Sequence, residues 1–260
     1  MAAKPRIDIL TLFPALVEPF LDGALVGAAR RQRRLDIRVT DIRDFSTDRH
    51  RSVDDAPYGG GDGMVLKCEP LVAAVEGVAG EGAQVLAMSP RGRPLDQARV
   101  VELAGAEQIV LLCGRYAGFD ERILQETAAE EVSIGDYVLS GGELPALVLT
   151  EAVARLVPGV LGNPESAVRD SFSTPAGPGP SGAGILEHPV YTRPPVFRGR
   201  AVPEVLLSGN HAEIERYRRA EALRITRDRR PDLLEKTDLG AEDRELLRMA
   251  RPSDPHSDLE

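Results

Sequence analysis

The sequence predicts an α/β fold built on a parallel sheet. Three observations point there. Short apolar runs such as Gln108–Leu112 (Q-I-V-L-L) alternate with helical patterns of eight to eleven residues, the signature of strand–helix–strand units with helices on both faces. Leu35, Ile37 and Val39 alternate with Asp36, Arg38 and Thr40, a period of two that marks a strand. Three of the expected strands end in loops rich in glycine and polar residues, and such loops lie where open α/β sheets bind ligands.

Taken in order, Arg6–Leu12 reads as the first strand, closed by Phe13-Pro14. A helical pattern follows, broken at Pro19 and Gly23, and ends in Arg30, Arg31, Arg33 and Arg34. The strand around Ile37 leads to Asp48–Met64, long, charged, glycine-rich and without periodicity, which marks a functional loop. Pro70–Val78 reads as a helix and Gln84–Met88 as a strand that ends at Ser89–Gly92. Leu95–Ala104 is a helix, and the strand Gln108–Leu112 ends at Cys113–Gly118. A helix from about Asp120 to Ala128 precedes the strand Glu131–Ile134. That strand runs into Ser133–Ala146 (S-I-G-D-Y-V-L-S-G-G-E-L-P-A), where Gly135, Gly141 and Gly142 allow close approach of main chain to a ligand. Glu143–Val157 is a helix apolar nearly all round, fit for burial against the sheet or another subunit.

Composition changes after Asp170. Residues 171–184 are mostly Pro, Gly, Ser and Ala and read as a flexible linker, so the expected organisation is a domain over 1–170, the linker 171–184, a helical domain over 185–252 and a disordered tail over 253–260. The clearest helix of the second domain opens at Asn210, an N-cap with Glu213 three residues on. A last helix is expected near Ala241–Ala250. Seven arginines fall between Arg216 and Arg230, a candidate phosphate-binding surface or simply a solvated helical face.

The net charge of −9 argues against a general nucleic-acid coat but leaves room for local basic surfaces. No run is long enough for a membrane span and Met1–Arg6 lacks the apolar core of a signal peptide. Cys68 and Cys113, both set among apolar residues, read as buried free thiols in a reducing cytoplasm. There is no phosphate-loop motif and no dinucleotide fingerprint, which speaks against a dehydrogenase, and the four histidines are too scattered for a metal cluster.

Four motifs together carry a resemblance. Ser133–Ala146, Cys113–Arg122 (C-G-R-Y-A-G-F-D-E-R), Asp48–Gly61 (D-R-H-R-S-V-D-D-A-P-Y-G-G-G) and Leu206–Ile214 (L-L-S-G-N-H-A-E-I) are similar to the bacterial tRNA (guanine-N1)-methyltransferases of the SPOUT, trefoil-knot class. The resemblance spans about residues 6 to 235. It implies a deep trefoil knot at the C-terminal end of the α/β domain, a smaller helical tRNA-binding domain and a cytoplasmic homodimer whose active site is shared between subunits. It implies methyl transfer from S-adenosylmethionine to N1 of the guanosine immediately 3′ of the anticodon. Gly114, Tyr116, Gly118, Ile134, Gly135, Asp136, Tyr137, Val138, Leu139, Gly141 and Gly142 are the implied cofactor residues. Asp170 is the implied general base and Arg155 the implied stabiliser of charge on O6. One departure is Ala117, where the family has glutamate; it removes a carboxylate linked to the family's Mg²⁺ requirement, which Asp136, Glu121 or Asp170 would have to replace. A catalytically idle RNA-binding relative is the alternative reading.

Overall fold

In the computed structural model, residues 5–163, 170–173 and 184–249 are described. Most of the expected linker (174–183), residues 164–169 before Asp170 and the expected tail lie outside these residues. The chain separates into two compact units, dividing between Pro164 and Glu165.

The first unit is built on a five-stranded sheet in the order β2-β1-β6-β5-β7, parallel throughout. Its strands are β1 (Arg6–Thr11), β2 (Asp36–Asp41), β5 (Gln84–Pro94), β6 (Gln108–Cys113) and β7 (Glu130–Ser133). β6, at the centre, is buried at all six positions, as a strand covered on both faces must be. The period of two sorts its side chains into two cores. Ile109, Leu111 and Cys113 pack with Ile7, Ile9, Leu86 and Met88 on one face, Val110 and Leu112 with Leu10 and Ala87 on the other.

Helices α1 (Pro14–Asp22), α2 (Ala24–Arg31), α4 (Gln97–Ala104) and α6 (Glu143–Leu156) contribute to the first core, α3 (Cys68–Val78) and α5 (Glu121–Thr127) to the second. Their starts follow local rules. Pro14 opens α1, where a missing N–H costs nothing. Asp96 caps α4 by accepting from Arg99 N–H at 2.8 Å, and Asp120 caps α5 by accepting from Arg122 N–H at 3.0 Å. The expected loop 48–64 holds a two-residue strand, β3 (Asp54–Asp55), antiparallel to β4 (Val65–Leu66).

β5 departs from expectation. It does not stop at Met88 but leaves β7 through Ser89–Gly92 and pairs with it again at Arg93 and Pro94, so that Val132 opposes both Met88 and Arg93. Pro90 and Gly92 look like strand breakers, yet the pairing on either side of them holds. The main chain of Gly92 presses on Val132 N and Glu131 C so closely that no Cβ fits there.

The second unit contains α7 (His211–Arg229), α8 (Pro231–Lys236) and α9 (Ala241–Met249). Ile185, Ala222, Leu223 and Leu246 form its small core. Thr226 Oγ1 inside α7 accepts from Leu186 N–H at 2.9 Å and fixes the incoming chain to the helix. A hairpin of β8 (Val196–Phe197) and β9 (Arg200–Ala201) lies outside the expected all-helical pattern.

Candidate active site

The carboxyl ends of β5, β6 and β7 surround a cleft of about 250 Å³. Its walls come from three loops: 88–91, 114–119 and 133–142. Ten of the eleven residues expected to hold the cofactor line it; Asp136 does not. A loop has no periodicity from which side-chain direction could be read, so that exception was not legible. Pro90, Arg91 and Glu131 also line it and were not among the expected cofactor residues; Ala117, the position of the departure from the family pattern, lines it too.

Main-chain hydrogen bonds tie the second and third loops to each other. Gly142 N–H donates to Gly114 O at 2.8 Å, and Arg115 and Gly141 form an antiparallel bridge. A Cβ at position 142 would lie 2.8 Å from Cys113 Cα and from Gly114 N, so only glycine lets these segments meet. From the other side, Ala117 N–H donates to Met64 O at 2.9 Å and Leu66 N–H to Gly118 O at 3.0 Å. The end of the long 48–64 loop therefore braces the C-G-R-Y turn. Tyr116 sits on this turn at φ 60, a conformation that non-glycine residues hold only when their surroundings impose it. Ser133 Oγ both donates to Gly135 O and accepts from Gly135 N–H, each at 3.2 Å, which closes the start of the third loop.

One buried side-chain network underlies these loops. Glu143, 4% exposed at the start of α6, accepts from Thr11 Oγ1 at 2.8 Å and faces Arg115 Nε at 3.4 Å. Arg115 donates to Ser140 O at 3.1 Å and lies 4.4 Å above the Phe13 ring. A buried threonine closing the first strand (R-I-D-I-L-T) was the available signal for this network. Burial, helped by the Glu143 carboxylate, pushes the Cys113 thiol well above its ordinary range, so it stays neutral. Cys68 departs from expectation in being only half-buried; burial and the Asp120 carboxylate raise its thiol too.

The charges in the cleft cancel locally. Arg91 is held by Glu121 at 3.1 Å and Glu131 at 2.9 Å, and Arg115 faces Glu143. With both arginines paired and no lysine in its lining, the cleft is poorly suited to a polyphosphate. The apolar surfaces of Pro90, Tyr116, Val138 and Leu139, beside free-running main chain, suit a flat heteroaromatic ring with polar edges.

Arg155, in the last turn of α6, is half-buried and is not part of the cleft lining. Asp170 belongs to the second unit, half-buried, its carbonyl accepting from Ser173 N–H at 3.2 Å. The two residues expected to perform the chemistry thus lie on different units. Among the described residues, no group of three or more His, Cys, Asp or Glu is arranged to hold a metal ion.

The family model for tRNA (Guanine-1)-methyltransferase TrmD matches residues 5–236. The chain belongs to this family. Relatives named tRNA (guanine-N(1)-)-methyltransferase include that of Geobacter sulfurreducens, 52% identical over 246 residues, covering 94% of this chain and 97% of the relative. The Brevibacillus brevis protein is 53% identical over 243 residues, covering 93% and 96%. That of Dehalococcoides mccartyi is 49% identical over 245 residues, covering 93% and 95%. The match includes the three loops of the cleft, Arg155 and Asp170.

Proposed function

We propose that this chain moves the methyl group of S-adenosylmethionine to N1 of the guanosine immediately 3′ of the anticodon of tRNA. The observation that carries the reading is family membership across nearly the whole chain, joined to a charge-balanced cleft at the strand ends. S-adenosylmethionine, when bound, supplies an electrophilic methyl group. The main chain of Gly114, Gly118, Ile134–Leu139, Gly141 and Gly142 offers donors and acceptors for its polar edges, while Tyr116 and Leu139 offer apolar faces. Membership of the family supports a chain threaded as a trefoil knot. The helices of the second unit support its reading as a smaller domain that holds tRNA.

Guanine N1 carries a proton near neutral pH, so a base must take it as the methyl group is transferred. Asp170 is the carboxylate assigned to that proton. Charge develops on O6, where the Arg155 guanidinium stabilises it. Because these residues belong to separate units, a homodimer is the natural assembly, the second unit of one subunit completing the cleft of the other. Leu144, 60% exposed on α6, with Val148, and Leu16 and Phe20 on the neighbouring α1, give the first unit an apolar face for the partner. Among the described residues, no helix is long and apolar enough to cross a membrane; we assign the reaction to the cytoplasm, where tRNA is found.

The residues present fit Mg²⁺ poorly. Position 117 carries only a methyl group, Glu121 is engaged by Arg91, Asp136 does not line the cleft and Asp170 belongs to the second unit. The same Ala117 is the one feature that favours an idle RNA-binding relative. Replacing Asp170 by Asn tests the catalytic assignment: single-turnover methyl transfer should fall by about a thousandfold, within the range of a positioned general base, while cofactor affinity stays within about twofold. A near-normal rate would remove Asp170 from the chemistry.

A further inference from the structure

The arginine-rich helix α7 is the obvious RNA-facing surface of the second unit, yet its charges are largely spent. Among the described residues, at least five of the seven arginines between Arg216 and Arg230 are tied to carboxylates of the same unit. Arg218 meets Glu215 at 2.8 Å, Arg219 meets Asp243 at 2.6 Å and Arg224 meets Glu221 at 2.7 Å. Arg227 meets Asp228 at 2.8 Å and Arg230 meets Asp232 at 2.7 Å. A phosphate would have to compete with each of these partners, and the carboxylates would repel it.

The hairpin Val196–Ala201 has the opposite character. Its turn residues Arg198 and Gly199 have φ of 49 and 82, the positive pair that a tight two-residue hairpin requires. This fixes a tip on which Phe197 is 61% and Val196 55% exposed. The Arg198 guanidinium lies 5.3 Å from the centre of the Phe197 ring. Neither Arg193 nor Arg198 has an ion pair among the described residues. Alongside runs a groove of about 340 Å³ lined by His188, Tyr191, Arg193, Leu206 and Arg218. Exposed aromatic faces interleaved with unneutralised cations are what unpaired nucleotides require: bases stack on the rings and phosphates meet the guanidinium groups.

We propose that this hairpin, with Tyr191 and Arg193, is a stacking platform for unpaired nucleotides of the RNA substrate. It contributes more to RNA affinity than the arginine run of α7. The inference rests on the tRNA reading above and deepens it. A second copy of the chain is a poorer occupant, because two such hairpins face to face would bring Arg193 and Arg198 against their own counterparts.

The test uses the full-length protein and an end-labelled tRNA transcript at fixed salt. Phe197→Ser should weaken binding about tenfold, the loss of one base from an aromatic platform. Phe197→Tyr should stay within about twofold of wild type, since it keeps the ring. Arg224→Gln should also stay within about twofold, as its cation is already paired. S-adenosylmethionine affinity and molar mass in solution should not change in any variant. The proposal is overturned if Phe197→Ser binds as wild type does, if Arg224→Gln causes the larger loss, or if Phe197→Ser alters the molar mass and so reveals a protein partner at the hairpin. Failure of the wild-type protein to bind the transcript would overturn the tRNA reading itself and this inference with it.

Discussion

The cleft on the first unit is walled by main chain, whereas the surface of the second unit is defined by side chains. In the cleft, loops 114–119 and 133–142 meet through backbone hydrogen bonds, and Arg91 and Arg115 are each paired with a carboxylate. On the second unit, the backbone is ordinary helix and hairpin, and recognition depends on which cations are paired and which aromatic rings are exposed. The difference teaches where each surface is vulnerable. Substitutions damage the cleft when they add bulk between crossing segments. They alter the second unit when they change charge or remove a ring.

The largest effect expected from this contrast is at Gly142. The Cβ of Gly142→Ala would meet Cys113 Cα and Gly114 N at 2.8 Å, and neither is a flexible side-chain end that can give way. The variant should lose roughly 1–3 kcal/mol of stability and most of its cofactor affinity, measured by denaturant unfolding and calorimetry. An unchanged unfolding midpoint would show that the loops can separate and that the cleft is not rigidly closed by backbone contact.

A smaller effect is expected at the half-buried Arg219–Asp243 pair, where the guanidinium holds the Asp243 carboxyl below its usual range. A depressed carboxyl contributes stability that is present above its unfolded pKa, near 3.9, and is lost as pH falls through the lower folded value. Asp243→Asn should therefore cost at most about 1 kcal/mol at neutral pH after solvent screening. The gap from wild type should close in acid, below both values. A gap that persists there would assign the loss to packing instead of charge.

The same contrast explains what could be read in advance. Strand–helix alternation and the period of two around Ile37 led directly to the parallel sheet, and glycine-rich strand ends led to the cleft. These are local signals. The continuation of β5 beyond Pro90 was hidden because Val132 pairs on both sides of the excursion, a long-range fact that overrides local breakers. The hairpin at Val196 was hidden because its strands are only two residues each. The state of the arginine run was hidden for a similar reason: Asp243, which neutralises Arg219, is 24 residues away on another helix. The roles of Asp170 and Arg155 came from resemblance alone, since an isolated Asp and a helix-end Arg carry no pattern of their own.

The measurement closest to the central claim is transfer of labelled methyl from S-adenosylmethionine to a tRNA transcript. Two transcripts would be compared, one with guanosine and one with adenosine immediately 3′ of the anticodon, without added metal and with Mg²⁺. The account predicts label on the guanosine transcript alone, recovered as 1-methylguanosine, with activity retained when Mg²⁺ is omitted. Binding of the guanosine transcript with no methyl transfer under either condition would contradict it and leave the chain an RNA-binding relative.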